Sequence, residues 1–142
     1  MKLIVATIFS NITFFSFAQH AEELTIQSKE LLNQEKFKEA IPILIEAAEL
    51  GNAESQYNLG VCYQFGYGTD QNDSIATSWY LKSAVQGWTD GEYKMSYAYI
   101  KGTGIEKNEK KAFDYTFKCA TKKDVNAFSI LFIFINFKFF CK

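Results

Sequence analysis

Between residues 53 and 124 the apolar positions recur at helical spacing and are interrupted at regular intervals by paired glycines. Ser55, Leu59, Cys62 and Tyr63 fall at i, i+4, i+7 and i+8, one stripe of an amphipathic helix. Gly66-Tyr67-Gly68 follows, and paired glycines end a helix by supplying left-handed backbone without a Cβ clash. Asn72-Asp73-Ser74 then provides capping side chains and negative charge for a second helix start. That helix carries Ala76, Trp79, Tyr80 and Ala84 and stops at Gly87. The same arrangement returns with Met95 and Tyr99, the turn Gly102-Thr103-Gly104, the cap Asn108, and Ala112, Tyr115 and Ala120.

The recurrence is a repeat of 36 residues. Comparing 53–88 with 89–124 gives eight identities: Tyr57/Tyr93, Tyr63/Tyr99, Gly66/Gly102, Gly68/Gly104, Asn72/Asn108, Ala76/Ala112, Lys82/Lys118 and Ala84/Ala120. Average residue usage gives about two or three by chance, so the unit is real. Upstream, Leu24, Ser28, Leu31 and Leu32 mark one helix and Phe37, Ala40, Ile41, Leu44, Ile45 and Ala48 a second. The polar turn Asn33-Gln34-Glu35-Lys36 joins them. Pro42 argues that this second helix starts late, near Glu39, or bends there, because proline removes a donor and clashes inside a helix.

The motif Leu59-Gly60-x-x-Tyr63-x-x-Gly66-x-Gly68, followed by Asp73-x-x-Ala76-x-x-Trp79-Tyr80-x-Lys82-Ser83-Ala84-x-x-Gly87, resembles the Sel-one-like repeat, a longer relative of the tetratricopeptide repeat. The second unit departs from it at three places, Ser96 for glycine, Thr116 for an aromatic and Lys123 for the closing glycine. The resemblance implies an all-α fold: a short right-handed solenoid of antiparallel helix pairs with a concave groove that holds proteins or peptides. The organisation expected is a signal peptide over 1–18, a tetratricopeptide-like hairpin over 19–52, repeats over 53–88 and 89–123, and an incomplete repeat or aberrant tail over 124–142.

Aromatic content is 17%, and both ends differ from the middle: of 14 Phe, four lie in residues 9–17 and six in residues 128–140. Met1-Lys2, the apolar run Leu3 to Phe17 and the small residues of Ser16-Phe17-Ala18 read as a secretory signal cleaved after Ala18. The run is short for a bilayer-spanning helix, which needs roughly 20 residues. The chain is therefore expected to be secreted or periplasmic, with no stable membrane span once processed. At the other end, Ser129 to Phe137 is almost wholly apolar, and the motif fails where Lys138 and Phe140 replace glycines. That tail reads either as the first helix of a third repeat or as a truncated or frameshifted reading frame. The second reading is preferred, because solenoids end in caps with polar outer faces.

Net charge is −1 and no basic block stands out, which sets nucleic acid aside as a partner. Three cysteines without a CxxC pair and a single His20 leave no metal-ligand pattern, and no cofactor motif is present. Cys62 lies on a core stripe and reads as a buried, inert thiol; nothing in the repeat frame brings it to Cys119, and Cys141 lies in the tail. The resemblance raises one enzymatic alternative, since some cysteine-rich members of the family are described as penicillin-binding or β-lactamase-like. A serine β-lactamase needs a lysine three residues after its serine. No serine here has one, Lys101-Gly102-Thr103 belongs to a turn, and Cys62 and Cys119 occupy different repeat positions. The chain is thus expected to be a non-catalytic scaffold for an unidentified protein or peptide; the enzyme and a non-functional fragment of a longer repeat protein are the alternatives. On the first helix of each unit, Tyr57, Val61 and Gln64, with Asn58 beside them, and Tyr93, Tyr97 and Ile100, with Lys94, form a possible peptide-binding ladder. The competing reading is packing between repeats, since solenoid helices bury two faces.

Overall fold

The computed structural model describes residues 2–122, with side chains from residue 16 onward. Six helices follow one another: α1 (Lys2–Asn33), α2 (Phe37–Glu49), α3 (Ala53–Phe65), α4 (Asp73–Val85), α5 (Thr89–Lys101) and α6 (Glu109–Lys122). There is no strand among the described residues. Each helix packs chiefly on its chain neighbours, so the helices form three stacked hairpins.

Helix ends are set by the caps expected at Asn72 and Asn108 and by a third, Asn52, that the sequence reading did not single out. The side chains of Asn52, Asn72 and Asn108 accept from the backbone N–H groups of Ser55, Ile75 and Lys111 at 2.9, 3.0 and 2.9 Å. Each thereby satisfies one of the orphan donors that a helix start exposes. Helices α3 and α5 end at Gly66 and Gly102, with φ of 73° and 75°. The two turns close identically: the Asn72 N–H donates to the Tyr63 carbonyl and the Asn108 N–H to that of Tyr99. The second glycine of each turn answers a contact with the preceding hairpin. A Cβ on Gly68 would lie 2.8 Å from the Phe37 carbonyl oxygen, and one on Gly104 would overlap the Asp73 carbonyl. Phe37 and Asp73 begin the second helices of two successive hairpins, so these glycines let one hairpin rest on the next.

Two expectations for the first hairpin are corrected. Helix α2 begins at Phe37, not near Glu39, and runs through Pro42, which faces solvent. The missing donor lies at the water-facing side, where the freed carbonyl is solvated. The buried stripe of α1 is Ala21, Thr25 and Ser28, while Leu24, Leu31 and Leu32 are only half-buried. Small residues prevail because α3 comes close: the hydroxyls of Thr25 and Ser55 share a hydrogen bond of 2.7 Å.

The core forms two clusters. Leu44, Ala48, Leu59 and Cys62 make one, with Trp79 packed on it; Ala76, Tyr80, Ala84, Met95, Tyr99 and Ala112 make the other, with Tyr115 packed on it. Tyr63 touches both and links the hairpins. Polar bonds between the two helices of a hairpin recur in the same register from one hairpin to the next. Ser83 donates to the Ala53 carbonyl at 2.7 Å, and Cys119, one repeat later, donates to that of Thr89 at 3.5 Å. Gln86 donates to Gln56 at 2.8 Å, and in the second unit Lys122 and Glu92 form an ion pair of 2.8 Å at the same two places. Cys62 and Cys119 are both buried, and burial pushes the Cys62 thiol up to about 11. Cys141 and the tail from residue 124 lie outside the described residues.

Candidate functional site

The eight ladder residues lie on α3 and α5, the first helices of the second and third hairpins. Their surroundings differ between the two helices. Tyr57 and Val61 are half-buried and pack against the second core cluster, with the Tyr57 ring centroid 5.8 Å from that of Tyr80. Asn58 and Gln64 are half-buried as well. On α5 the exposure rises: Tyr93 is 63% exposed, Tyr97 46% and Ile100 39%. These three fall at i, i+4 and i+7, one face of the helix opposite the buried Met95 and Tyr99.

Between the two rows lies a small cleft lined by Gln64, Asp73, Thr77, Tyr80, Lys94 and Tyr97 among others. Gln64 organises it. Its side-chain carbonyl accepts from the Tyr80 hydroxyl and from the Lys94 ammonium, each at 2.8 Å. The ammonium also stands 5.5 Å from the ring centres of Phe65 and Tyr80, within range of a cation–π attraction. Desolvation lowers the Lys94 pKa, because leaving water disfavours the charged form. It raises that of Tyr80 for the same reason, the charged form there being the phenolate, with Tyr57, Cys62 and Asp73 adding to the effect. Among the described residues Lys29 pairs with Glu54 and Lys122 with Glu92, the His20 ring lies 3.6 Å from the Glu46 carboxylate, and Lys94 has no carboxylate partner.

One surface feature escaped the sequence reading. Phe37, Tyr67 and Phe65 stack in succession, with ring centres 4.8 and 5.6 Å apart. Phe65 is 54% exposed and Tyr67 42%. Tyr67 lies inside the glycine turn, where helical periodicity carries no information about its direction. The run continues to Lys94 and so joins the cleft to the turn end of the second hairpin. No group of three or more His, Cys, Asp or Glu side chains that could hold a metal occurs among the described residues.

Comparison with known proteins places this geometry. The family model described as the Sel1 repeat matches residues 53–88 and 89–124. A Sel1 repeat protein from Oxalobacter formigenes is 32% identical with a TM-score of 0.67, covering 73% of this chain and 41% of its own. The protein c5321 of uropathogenic Escherichia coli, a protective antigen with an SLR fold, is 25% identical with a TM-score of 0.70 over 73% of this chain and 23% of its own. The Helicobacter pylori cysteine-rich protein B shares the fold at 21% identity, with a TM-score of 0.67 over 84% of this chain and 92% of that one. The chain thus spans less than half the length of the first two. A comparison with curated proteins finds no match. Two matched units, six helices in three stacked hairpins and these structural neighbours lead to one conclusion: the chain belongs to the Sel1 repeat family.

Proposed function

We propose that this protein is an exported, non-catalytic scaffold that holds an extended segment of another protein along helix α5. The observation that carries the reading is the exposed stripe of Tyr93, Tyr97 and Ile100. Tyrosine offers a large apolar face with a polar tip and few rotatable bonds, which suits reversible contact with a peptide. The half-buried residues of α3, Tyr57 and Val61 above all, act as the rigid backing of that surface. Asn58 and Gln64 supply polar contacts at its edge.

Export is supported by the sequence of the first 18 residues. Cleavage after Ala18 trims α1 and leaves Ala21, Thr25 and Ser28, the residues that pack against the rest of the array. No helix among the described residues is long and apolar enough to cross a membrane.

Panning a phage-displayed library of 12-residue peptides against the chain tests the binding reading. Enriched peptides are expected to bind about ten-fold more weakly to Tyr93→Ala and Tyr97→Ala, a change of about 1.4 kcal/mol. Both residues are exposed, so folding is unaffected. Binding that survives both substitutions places the peptide elsewhere and overturns the proposal. Amino-terminal sequencing of protein from the envelope fraction of a bacterial host tests export; a chain starting at Gln19 is expected, and one retaining residue 2 refutes cleavage.

A further inference from the structure

We infer that Lys94 is an anchor for a carboxylate side chain, so that the segment bound along α5 is acidic at one position. The inference rests on the peptide-binding reading above and adds to it the chemical class of the partner.

Four observations converge. Lys94 is a half-withdrawn cation with only neutral partners among the described residues: the amide of Gln64 and the faces of Phe65 and Tyr80. An ammonium has three donors, and one hydrogen bond to Gln64 leaves two for an incoming acceptor. Lys94 shares the lining of the small cleft with Tyr97, a residue of the stripe assigned to the peptide. Its one acidic wall residue, Asp73, begins α4 and does not approach Lys94 closely enough to form an ion pair. A carboxylate arriving there meets a positive charge already partly stripped of water, held in place by Gln64, and screened from salt by the rings beside it.

The repeat itself indicates that the lysine is not needed for folding. The equivalent position one unit earlier is Asn58, on a helix of the same length with the same turn. Likewise Gln64 is replaced one unit later by Ile100, so the amide–ammonium pair is built once, between α3 and α5. A charge placed at a single register position, with no counter-ion among the described residues, is what recognition requires and what packing does not.

The test uses peptides enriched in the panning experiment. Display fuses each peptide through its C-terminus, so any carboxylate selected belongs to a side chain. The enriched set is expected to contain Asp or Glu at one aligned position. The synthetic top-ranked peptide should bind at least ten-fold more weakly when that residue is changed to Asn or Gln. Lys94→Asn, which installs the residue of the preceding unit, should weaken the acidic peptide by the same factor and leave its amide version unchanged. Circular dichroism of Lys94→Asn should match the unaltered chain. Peptides that bind without an acidic position, or an acidic peptide indifferent to Lys94→Asn, overturn the carboxylate anchor and leave the scaffold reading standing. Failure to enrich any peptide overturns both.

Discussion

At the scale of single residues, the two repeats act as an internal control on each other. Gly60 and Tyr80 face one another in the second hairpin, and a Cβ on Gly60 would stand 2.6 Å from the Tyr80 ring. In the third hairpin the glycine is Ser96 and the tyrosine is Thr116, and their hydroxyls share a hydrogen bond of 2.5 Å. The two departures from the family motif are thus one compensated exchange, large ring with no Cβ against small side chain with one. Gly60→Ala should destabilise the protein by about 1–3 kcal/mol through overpacking. In a Tyr80→Thr background the same change should stabilise by about 1 kcal/mol, because alanine is the better helix residue once the ring is gone. Urea denaturation of the four proteins reads this directly; equal effects in both backgrounds would disprove the coupling. The sequence displays both departures but not their connection, since 60 and 80 are distant in the chain and meet only when α3 packs on α4.

At the scale of elements, helix boundaries follow local chemistry and helix fastenings do not. Asn72, Asn108, Gly66 and Gly102 cap the helices that their positions announce. What ties each second helix back to its partner is decided across space. Gln86 to Gln56 is a neutral amide pair, and Gln56 also donates to the Ala48 carbonyl at 3.0 Å. Its counterpart, Lys122 to Glu92, is an ion pair whose carboxylate is 3% exposed and whose second oxygen has no partner among the described residues. Removing the cation leaves a buried charge, which is costlier than an unmade amide bond. Lys122→Met is therefore expected to lower stability by about 3 kcal/mol and Gln86→Met by about 1 kcal/mol. Chemical denaturation with matched variants checks the order; a larger loss for Gln86→Met contradicts it. Helix α2 shows the same limit from the other side. Pro42 was expected to delay or bend it, yet the helix begins at Phe37 because the residues around it pack on α1 and the proline faces water.

At the scale of the whole molecule, burial converts several titratable groups into a collective response to pH. The Cys62 thiol is raised from 9.0 to about 11 by desolvation, and the phenols of Tyr80 and Tyr115 are raised for the same reason. A group raised on folding contributes its stability in full below its unfolded pKa and loses it as pH climbs through the folded value. Between pH 9 and 11 the unfolded chain releases the Cys62 proton while the folded chain keeps it, so stability falls. Lys94 is lowered and works in the opposite direction just below its ordinary value of 10.5. The urea midpoint is expected to hold from pH 7 to about 9 and to drop toward 11. The drop should be shallower in Cys62→Ala and steeper in Lys94→Asn. An unchanged slope in Cys62→Ala would remove the thiol from the account.

The period of 36, the hairpin order, the glycine turns and the asparagine caps were all legible in the chain. They depend on propensities and on apolar spacing, which act over one or two turns of helix and leave their mark locally. The all-α repeat fold followed from them, and so did the family. The tertiary structure alone decided which of the eight ladder residues stand in water. Tyr57 and Tyr93 are the same residue at the same repeat position, yet the first is half-buried against the second core cluster and the second is 63% exposed. It alone also brought Gln64 to Lys94, thirty positions apart on two helices, because a cation's partners depend on how neighbouring hairpins stack.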